Sequence, residues 1–395
     1  MKIAWTLLAC CGLAAEASNL PPPLDLQGVT AIAFEDPVVA RVRAELAERR
    51  RQLFSTGAFF REGPVVGVEA GPRRLEDDGT KAVLSVEADV PLRVRGGART
   101  TAETRLDEAA PVLLAAARAE AARRLAEAHA EAWLAASRAE ALAGQRTLLE
   151  GWRDAARRRV EAGADAPFQA TLVEADLLRA RGELDRARRE AAGAWGALRV
   201  LADLPEAPQA LASPPIPAWP RLDASKARFE AGVARASIDA RLALDLAFGS
   251  LESSDRFERW SLLGSVAKEG ADSVARAGMA YRFPLPGERT SSDEASKSFE
   301  RARRREADTE RRVLEARLYG ALERAREFGP LPDGQSFEEA LAAVNLRVLE
   351  GKDSPSDAVL SRRPLLDGRL AALERLRDAA LLSAELEALT KGMTP

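Results

Sequence analysis

Apolar and polar positions along this chain follow two rhythms. The first has period two. Over residues 241–248 one side collects Leu242, Leu244, Leu246 and Phe248, and the other Arg241, Ala243, Asp245 and Ala247. Residues 275–283 set Met279, Tyr281 and Phe283 against Gly278, Ala280 and Arg282. Leu84, Val86, Ala88, Val90 and Leu92 oppose Val83, Ser85, Glu87, Asp89 and Pro91, and a shorter run at 65–70 sets Val66 and Val68 against Gly67 and Glu69. Alternation of this kind predicts four strands, each with one apolar and one polar face. Polar segments, Gly71 to Lys81 and Gly249 to Ser273, join each pair.

The second rhythm has the spacing of a helix. From about Thr100 to Arg159 the chain is crowded with Ala, Arg, Glu and Leu, and Pro111 is its only proline. Roughly sixty helical residues at 1.5 Å rise reach ~90 Å, far beyond a globular helix. Ala117, Ala121, Leu125, Ala128, Ala132, Ala135, Ala139 and Leu142 recur at three- and four-residue steps, which predicts a coiled-coil seam built mostly of alanine. The Arg and Glu of the remaining faces read as solvated or ion-paired surface. His129, in the middle of this helix, reads as a surface or seam residue rather than a ligand.

The chain is written twice. Arg159-Val-Glu-Ala-Gly-Ala-Asp-Ala-Pro-Phe-Gln-Ala-Thr-Leu172 lines up with Arg347-Val-Leu-Glu-Gly-Lys-Asp-Ser-Pro-Ser-Asp-Ala-Val-Leu360, with Arg, Val, Gly, Asp, Pro, Ala and Leu coinciding. Upstream, Asp89-Val-Pro-Leu92 and Gly97-Ala-Arg-Thr100 match Arg282-Phe-Pro-Leu285 and Gly287-Glu-Arg-Thr290. Matching Gly and Pro at fixed offsets is hard to obtain from low-complexity helical sequence by chance. The reading is a tandem duplication: a first repeat over 63–204, a Pro-rich joint over 205–220 and a second repeat over 221–395, preceded by an N-terminal segment and opening helix over 18–62. Each repeat orders its elements as strand hairpin, long helix, tip and return helix. At the tips Gly163 and Gly351 stand where a helix end needs a left-handed residue. Asp165-Ala-Pro167 and Asp353-Ser-Pro355 then supply an N-cap and a helix-opening proline. Gln169 of the first copy answers to Asp357 of the second.

The first residues carry Lys2, an apolar run from Ile3 to Ala15, and Ala15-Glu16-Ala17 as a small-x-small cleavage site, so 1–17 reads as a secretory signal peptide. Leu7-Leu8-Ala9-Cys10 offers a competing reading as a lipobox with Cys10 acylated. No later run approaches the ~18 apolar residues of a membrane-spanning helix. An exported chain of this kind is either soluble or enters a membrane through strands.

Composition removes other classes. The 58 basic and 61 acidic residues nearly cancel, so a general nucleic-acid binder with a basic surplus is excluded. One histidine and two adjacent cysteines leave no metal cluster and no disulfide framework. No nucleophile–base pair or phosphate loop appears, so neither an enzyme nor a cofactor is expected. For the strands two readings stay open: an antiparallel sheet on a soluble core, in a periplasmic coiled-coil scaffold without a working pore, or a transmembrane barrel with apolar residues to lipid and polar residues to a water-filled lumen. Four strands cannot close a barrel, and an open edge cannot survive in lipid, so the barrel reading requires several protomers. Its lumen charges would be Glu69, Glu87, Asp89, Arg241, Asp245 and Arg282.

Taken together, the duplicated halves and their tips resemble the outer-membrane efflux proteins of the TolC family, with the closest look to the cation-efflux branch resembling CzcC. Asp36-Pro-Val-Val-Ala-Arg-Val-Arg-Ala-Glu-Leu-Ala-Glu-Arg49 is similar to that family's opening helix, and Gly63-Pro-Val-Val-Gly-Val68 to the entry of its first strand. Asp89-Val-Pro-Leu92 and Phe283-Pro-Leu285 resemble its strand-to-helix crossings; Arg159-Val-Glu-Ala-Gly163 and Arg347-Val-Leu-Glu-Gly351 resemble its tip motif. The resemblance implies a mixed, predominantly α fold: long antiparallel coiled-coil helices forming a periplasmic tunnel, and four β-strands per protomer contributing to a twelve-stranded barrel in a homotrimer. It implies outer-membrane lipid around the barrel, a periplasmic adaptor at the tips (Gly163, Asp165, Pro167, Gln169, Gly351, Asp353, Pro355) and an inner-membrane pump behind the adaptor. Asp357 matches an acidic residue that narrows the tunnel mouth, and Gln169 departs from the acidic residue often found in the first copy.

Overall fold

The structure, a computed structural model, describes residues 24–25, 36–55, 65–74, 80–92, 97–204, 210–215, 217, 219, 222–255, 260–269, 272–281, 286–331 and 334–392. The expected signal peptide, Cys10 and Arg282 lie outside the described residues. Eight helices and four strands are described, in the order α1 (Pro37–Ser55), β1 (Val65–Arg74), β2 (Thr80–Leu92), α2 (Gly97–Glu161), α3 (Pro167–Ala202), α4 (Leu222–Glu230), α5 (Val233–Asp255), β3 (Trp260–Glu269), β4 (Asp272–Tyr281), α6 (Pro286–Glu327), α7 (Gly334–Leu349) and α8 (Pro355–Thr390). The chain divides into two compact units. One holds Met1–Asp36, Arg118–Ser225 and Leu318–Ala388, the other Pro37–Ala117, Lys226–Arg317 and Leu389–Pro395.

The second of these units carries all four strands in one antiparallel sheet of order β1-β2-β3-β4. Strands β1 and β2 reach further than the alternation suggested, to Arg74 and back to Thr80, because the ladder runs unbroken from Val65↔Asp89 to Arg74↔Thr80. The third strand is where the sequence reading fails. Residues 241–248 are helical and belong to α5; the strand is Trp260–Glu269. Leu244, Ala247, Phe248 and Leu251 stand at i, i+3, i+4 and i+7, and they bury against Leu53 of α1 and Ala102, Leu106 and Ala109 of α2. A Leu/Ala stretch fits either period, and its high helix propensity and the available core decide between them. In β3 the adjacent Leu262-Leu263 and the glycine after them broke the alternation and hid the strand.

The other unit is built of helix. The seam residues Ala121, Leu125, Ala132 and Leu142 are buried, and Ala128, Ala135 and Ala139 half-buried. Leu142, Leu184, Ala187 and Leu366 form one cluster. A second joins Leu149, Trp152 and Ala156 of α2 to Val173, Leu177 and Ala180 of α3, Val348 of α7 and Ala358 of α8. The second repeat was expected to hold one long helix before its tip, but it is interrupted between Glu327 and Gly334. Pro330 removes a backbone donor and disfavours helical geometry in the residue before it. The ring of Phe328 packs there, 5.4 Å from Trp219 and 5.6 Å from the Arg375 guanidinium.

Several polar side chains inside this unit are buried, His129 and Arg362 among them. His129 is 1% exposed; its Nε2 lies 3.1 Å from the Leu24 carbonyl, and burial pushes its pKa down. Leu24 in turn donates to Ala210 O and accepts from Ala212 N, tying the N-terminal segment to the joint. Arg362 of α8 is 4% exposed and donates to Gln145 Oε1 of α2 (2.9 Å) and to Asp176 Oδ2 of α3. A buried guanidinium is tolerable only with such partners, and removing one member strands the other. Arg362→Ala is expected to cost about 3 kcal/mol of stability, read as a lower urea midpoint of the purified protein. Arg362→Leu with Asp176→Leu should recover most of that loss, and no recovery would show that the pair is not what Arg362 contributes.

Candidate functional site

Two places gather the residues singled out in the sequence, and each belongs to one unit. The first is the sheet. Its register sets Val66, Ala88, Gly264 and Ala277 in one row and Val68, Val86, Val266 and Ala275 in another; Leu84, Leu262 and Met279 share that face. Val68 is 65% exposed and Met279 64%, so this apolar face has no core against it among the described residues. The other face carries Glu69, Glu87 and Asp89 with Gly67, Ser85 and Ser265, as the alternation in β1 and β2 predicted. It also carries Arg276, which the sequence reading passed over. Gly67↔Glu87↔Ser265↔Arg276 form one cross-strand row, and these residues with Asp89 and Gly278 line a shallow hollow on the polar face.

Arg241 and Asp245 are not strand residues, so their expected place on the polar face of the sheet is corrected. Both sit on α5. Asp245 is nearly buried and accepts from Arg49 Nη2 at 2.6 Å, with Arg303 Nε 3.7 Å away, while Arg49 also stacks 5.3 Å over the Phe248 ring. This group ties α1, α5 and α6 together and is structural.

The second place is the pair of tips, which are near copies. Gly163 and Gly351 both take φ +73°, the left-handed region that favours glycine. In the first tip Ala164 N and Asp165 N donate to Arg159 O, at 2.8 and 3.3 Å; in the second Lys352 N and Asp353 N donate to Arg347 O, at 2.9 and 3.3 Å. The same arginine then closes the turn with its side chain. Arg159 Nε and Nη2 donate to Asp165 Oδ2 and Oδ1 (2.8 and 3.1 Å), and Arg347 donates to Asp353 in the same bidentate way (2.8 and 2.9 Å).

Asp165 and Asp353 are therefore arginine partners, and the expected N-caps fall one residue later. Ala166 has extended backbone (φ −75°, ψ 145°), and its N–H donates to Gln169 Oε1 at 3.1 Å. In the second tip Ser354 Oγ accepts from Asp357 N at 3.2 Å. Each tip thus uses a different half of a reciprocal capping arrangement. Gln169 is occupied in holding its helix start, whereas the Asp357 carboxylate is exposed, with no partner among the described residues. Around the tips Phe168, Leu172, Leu346, Leu349 and Leu360 are exposed. Leu172 and Leu360 are equivalents in the two copies, a signal present in the sequence match. Beneath, Trp152 Nε1 donates to Asn345 Oδ1 at 2.9 Å.

Among the described residues no group of His, Cys, Asp and Glu could hold a metal ion, and no helix is long and apolar enough to cross a membrane.

No protein-family model and no curated protein sequence matches the chain. Solved structures do. The chain is similar to the outer-membrane channel CmeC of Campylobacter jejuni, with a TM-score of 0.68 at 12% identity over 92% of this chain and 85% of that one. It is similar to the outer-membrane protein VceC of Vibrio cholerae, with 0.66 at 14% identity over 93% and 97%. It is also similar to the open state of the outer-membrane channel MtrE of Neisseria gonorrhoeae, with 0.63 at 17% identity over 93% and 89%. The chain has the fold of these TolC-like outer-membrane channels: long helices with four antiparallel strands.

The Arg159 guanidinium holds the Asp165 carboxyl below its ordinary range. A carboxylate with a depressed folded pKa adds stability above its unfolded value of about 3.9 and loses it as pH falls through the folded pKa. Hydrogen exchange of the Ala164 and Asp165 amides should therefore speed up, relative to intrinsic rates, as pH drops below about 4. In Asp165→Asn the fast exchange should appear at every pH. Wild-type protection that stays flat down to strong acid would mean that the backbone alone holds the turn.

Proposed function

We propose that this chain is the outer-membrane conduit of a tripartite export system. Three copies close a twelve-stranded barrel in the outer membrane, and their helices form the periplasmic part of the passage. A periplasmic adaptor docks at the tips and couples the conduit to an inner-membrane pump, which supplies the energy. The observation that carries this reading is the four-stranded sheet with an exposed apolar face, a polar hollow on the other face and two edge strands, β1 and β4, that have no second partner among the described residues. In lipid such edges must be closed, and neighbouring copies of the same sheet close them. The likeness to outer-membrane channels supports the same reading.

The tip roles belong to this proposal. Gly163, Asp165, Pro167 and Gln169 with Gly351, Asp353 and Pro355 shape the adaptor-facing turns, and exposed Leu172 and Leu360 supply apolar contact of the kind that marks interaction surfaces. Asp357, exposed and unpaired, forms a ring of three carboxylates at the mouth. The placement near a cation-efflux branch belongs to this proposal as well. Glu69, Glu87 and Asp89 face the barrel lumen.

Density-gradient separation of inner and outer membranes tests the whole reading. The mature protein is expected in the outer-membrane band, released only by detergent; a soluble periplasmic pool would leave a coiled-coil scaffold in its place. In planar bilayers Asp357→Asn is expected to reduce block by hexaamminecobalt several-fold and lower the preference for cations. Unchanged block would remove Asp357 from the mouth.

A further inference from the structure

His129 is the one histidine of the chain, and nothing in the conduit reading uses it. It is 1% exposed, with Leu125, Ala126, Ala132 and Trp133 of α2 buried one turn to either side. The Leu24 carbonyl can only accept, so at 3.1 Å Nε2 carries the proton and donates. The neutral ring then presents Nδ1 as an acceptor, and Nδ1 is buried with no hydrogen-bond partner among the described residues. A second proton has only Nδ1 to go to. There it would place a charge and an unanswered N–H out of contact with water.

The ring is bonded to a short strap. Leu24 N donates to Ala210 O at 2.9 Å, and Leu24 O accepts from Ala212 N at 3.1 Å as well as from His129. These bonds make one isolated parallel bridge between Leu24 and Leu211. The helices of the same unit are held far better. Leu142, Leu184, Ala187 and Leu366 pack α2, α3 and α8 together, and Arg377 of α8 pairs with Glu131 two residues from His129. The strap is therefore the element that yields first when the ring needs water. Of the charged groups around it, Asp25 on the strap acts on the ring and favours its protonation. On α2, Glu127 is held by Arg123 and Glu131 by Arg377, which also holds Asp378 of α8. Arg124 lies 3.8 Å from Asp36, and Arg324 of α6 holds Glu385 of α8. The end of α3 carries Arg199 and Asp203, while 210–214 of the joint carries no charge. Burial outweighs Asp25 and pushes the pKa of His129 down.

We propose that His129 is an acid-sensitive latch, which holds the N-terminal strap and the Pro-rich joint on α2 while its ring is neutral and lets them go when the ring takes up a proton. With the strap in place the ring is buried and resists protonation; with the strap released it is hydrated and titrates near its ordinary value of about 6.5. Above that value both forms are neutral, and the strap keeps its full hold. As pH falls from about 6.5 towards the pKa of the buried ring, the open form binds a proton that the closed form does not, and opening gains up to about tenfold per pH unit. Release unties the N-terminal segment from the joint that connects the two repeats. The latch lies within one unit and stands whether or not the chain conducts.

Hydrogen exchange of the Leu24 and Ala212 amides in the purified full-length protein, taken relative to intrinsic rates between about pH 7.5 and about pH 5, is the test. Wild-type protection should fall several-fold across that range. His129→Gln keeps an N–H that can donate to the Leu24 carbonyl but does not titrate, so its protection should stay level. Asp25→Asn should keep the acid response, which separates the ring from the neighbouring carboxylate. A second readout needs no variant: with a purification tag free of histidine, a ¹³C-labelled Cε1 reports His129 alone, and its shift should titrate below about 6.5. Level protection in the wild type, an undiminished acid response in His129→Gln, or a Cε1 titration at or above the ordinary value would each overturn the latch.

Discussion

The constraint on which the rest depends is the backbone of two edge strands. Among the described residues, strands β1 and β4 each leave one side of their ladder without a partner, in a sheet whose apolar face has no core over it. In water such a sheet invites uncontrolled pairing; in lipid its free N–H and C=O groups cost several kcal/mol each. No helix among the described residues covers that face. On the channel reading proposed above, self-association would answer this hydrogen-bond accounting more directly than any surface patch.

The helical unit solves a different problem. An alanine seam lets helix axes come close but removes little apolar area from water per contact. Larger anchors are spaced along it: Leu125, Leu142, Leu149 and Trp152 in α2, with Leu177, Leu184 and Leu198 in α3. Polar ties then fix which helix meets which. Arg362 joins α8 to α2 and α3, and Trp152 joins α2 to α7. A seam of repeating small residues could slide by a turn without losing much area. Single geometric contacts of this sort are what pin its register.

The tips show how duplication constrains and releases. The left-handed glycine and the arginine–aspartate clasp are conformational requirements of the turn, and both copies keep them with matching dihedral angles and bonds. Outside that geometry the copies diverge. Gln169 caps its own helix while Asp357 leaves its carboxylate in solvent. Chemistry has been added where the turn did not need the residue.

Much of this was legible in the chain itself. Periodicity located α2, the strands β1, β2 and β4 and the polar set Glu69, Glu87 and Asp89, because period-two and period-3.6 patterns reflect burial on one face. Matching Gly and Pro located both tips, because only particular residues tolerate those dihedral angles. Residues 241–248 were misread because alternating Leu and Ala satisfy both periods, and only contact with Leu53, Leu106 and Ala109 selected the helix. The same limit hid β3, whose Leu262-Leu263 pair makes sense only once β2 and β4 lie on either side. Asp165 was taken for a cap because its spacing fits one; the arginine six residues back claims it instead. Local backbone preference is written in neighbouring residues and can be read from them. The β2–β3 pairing, buried ion partners and the choice between two permitted periods depend on residues far away along the chain, and these were decided only when the chain folded.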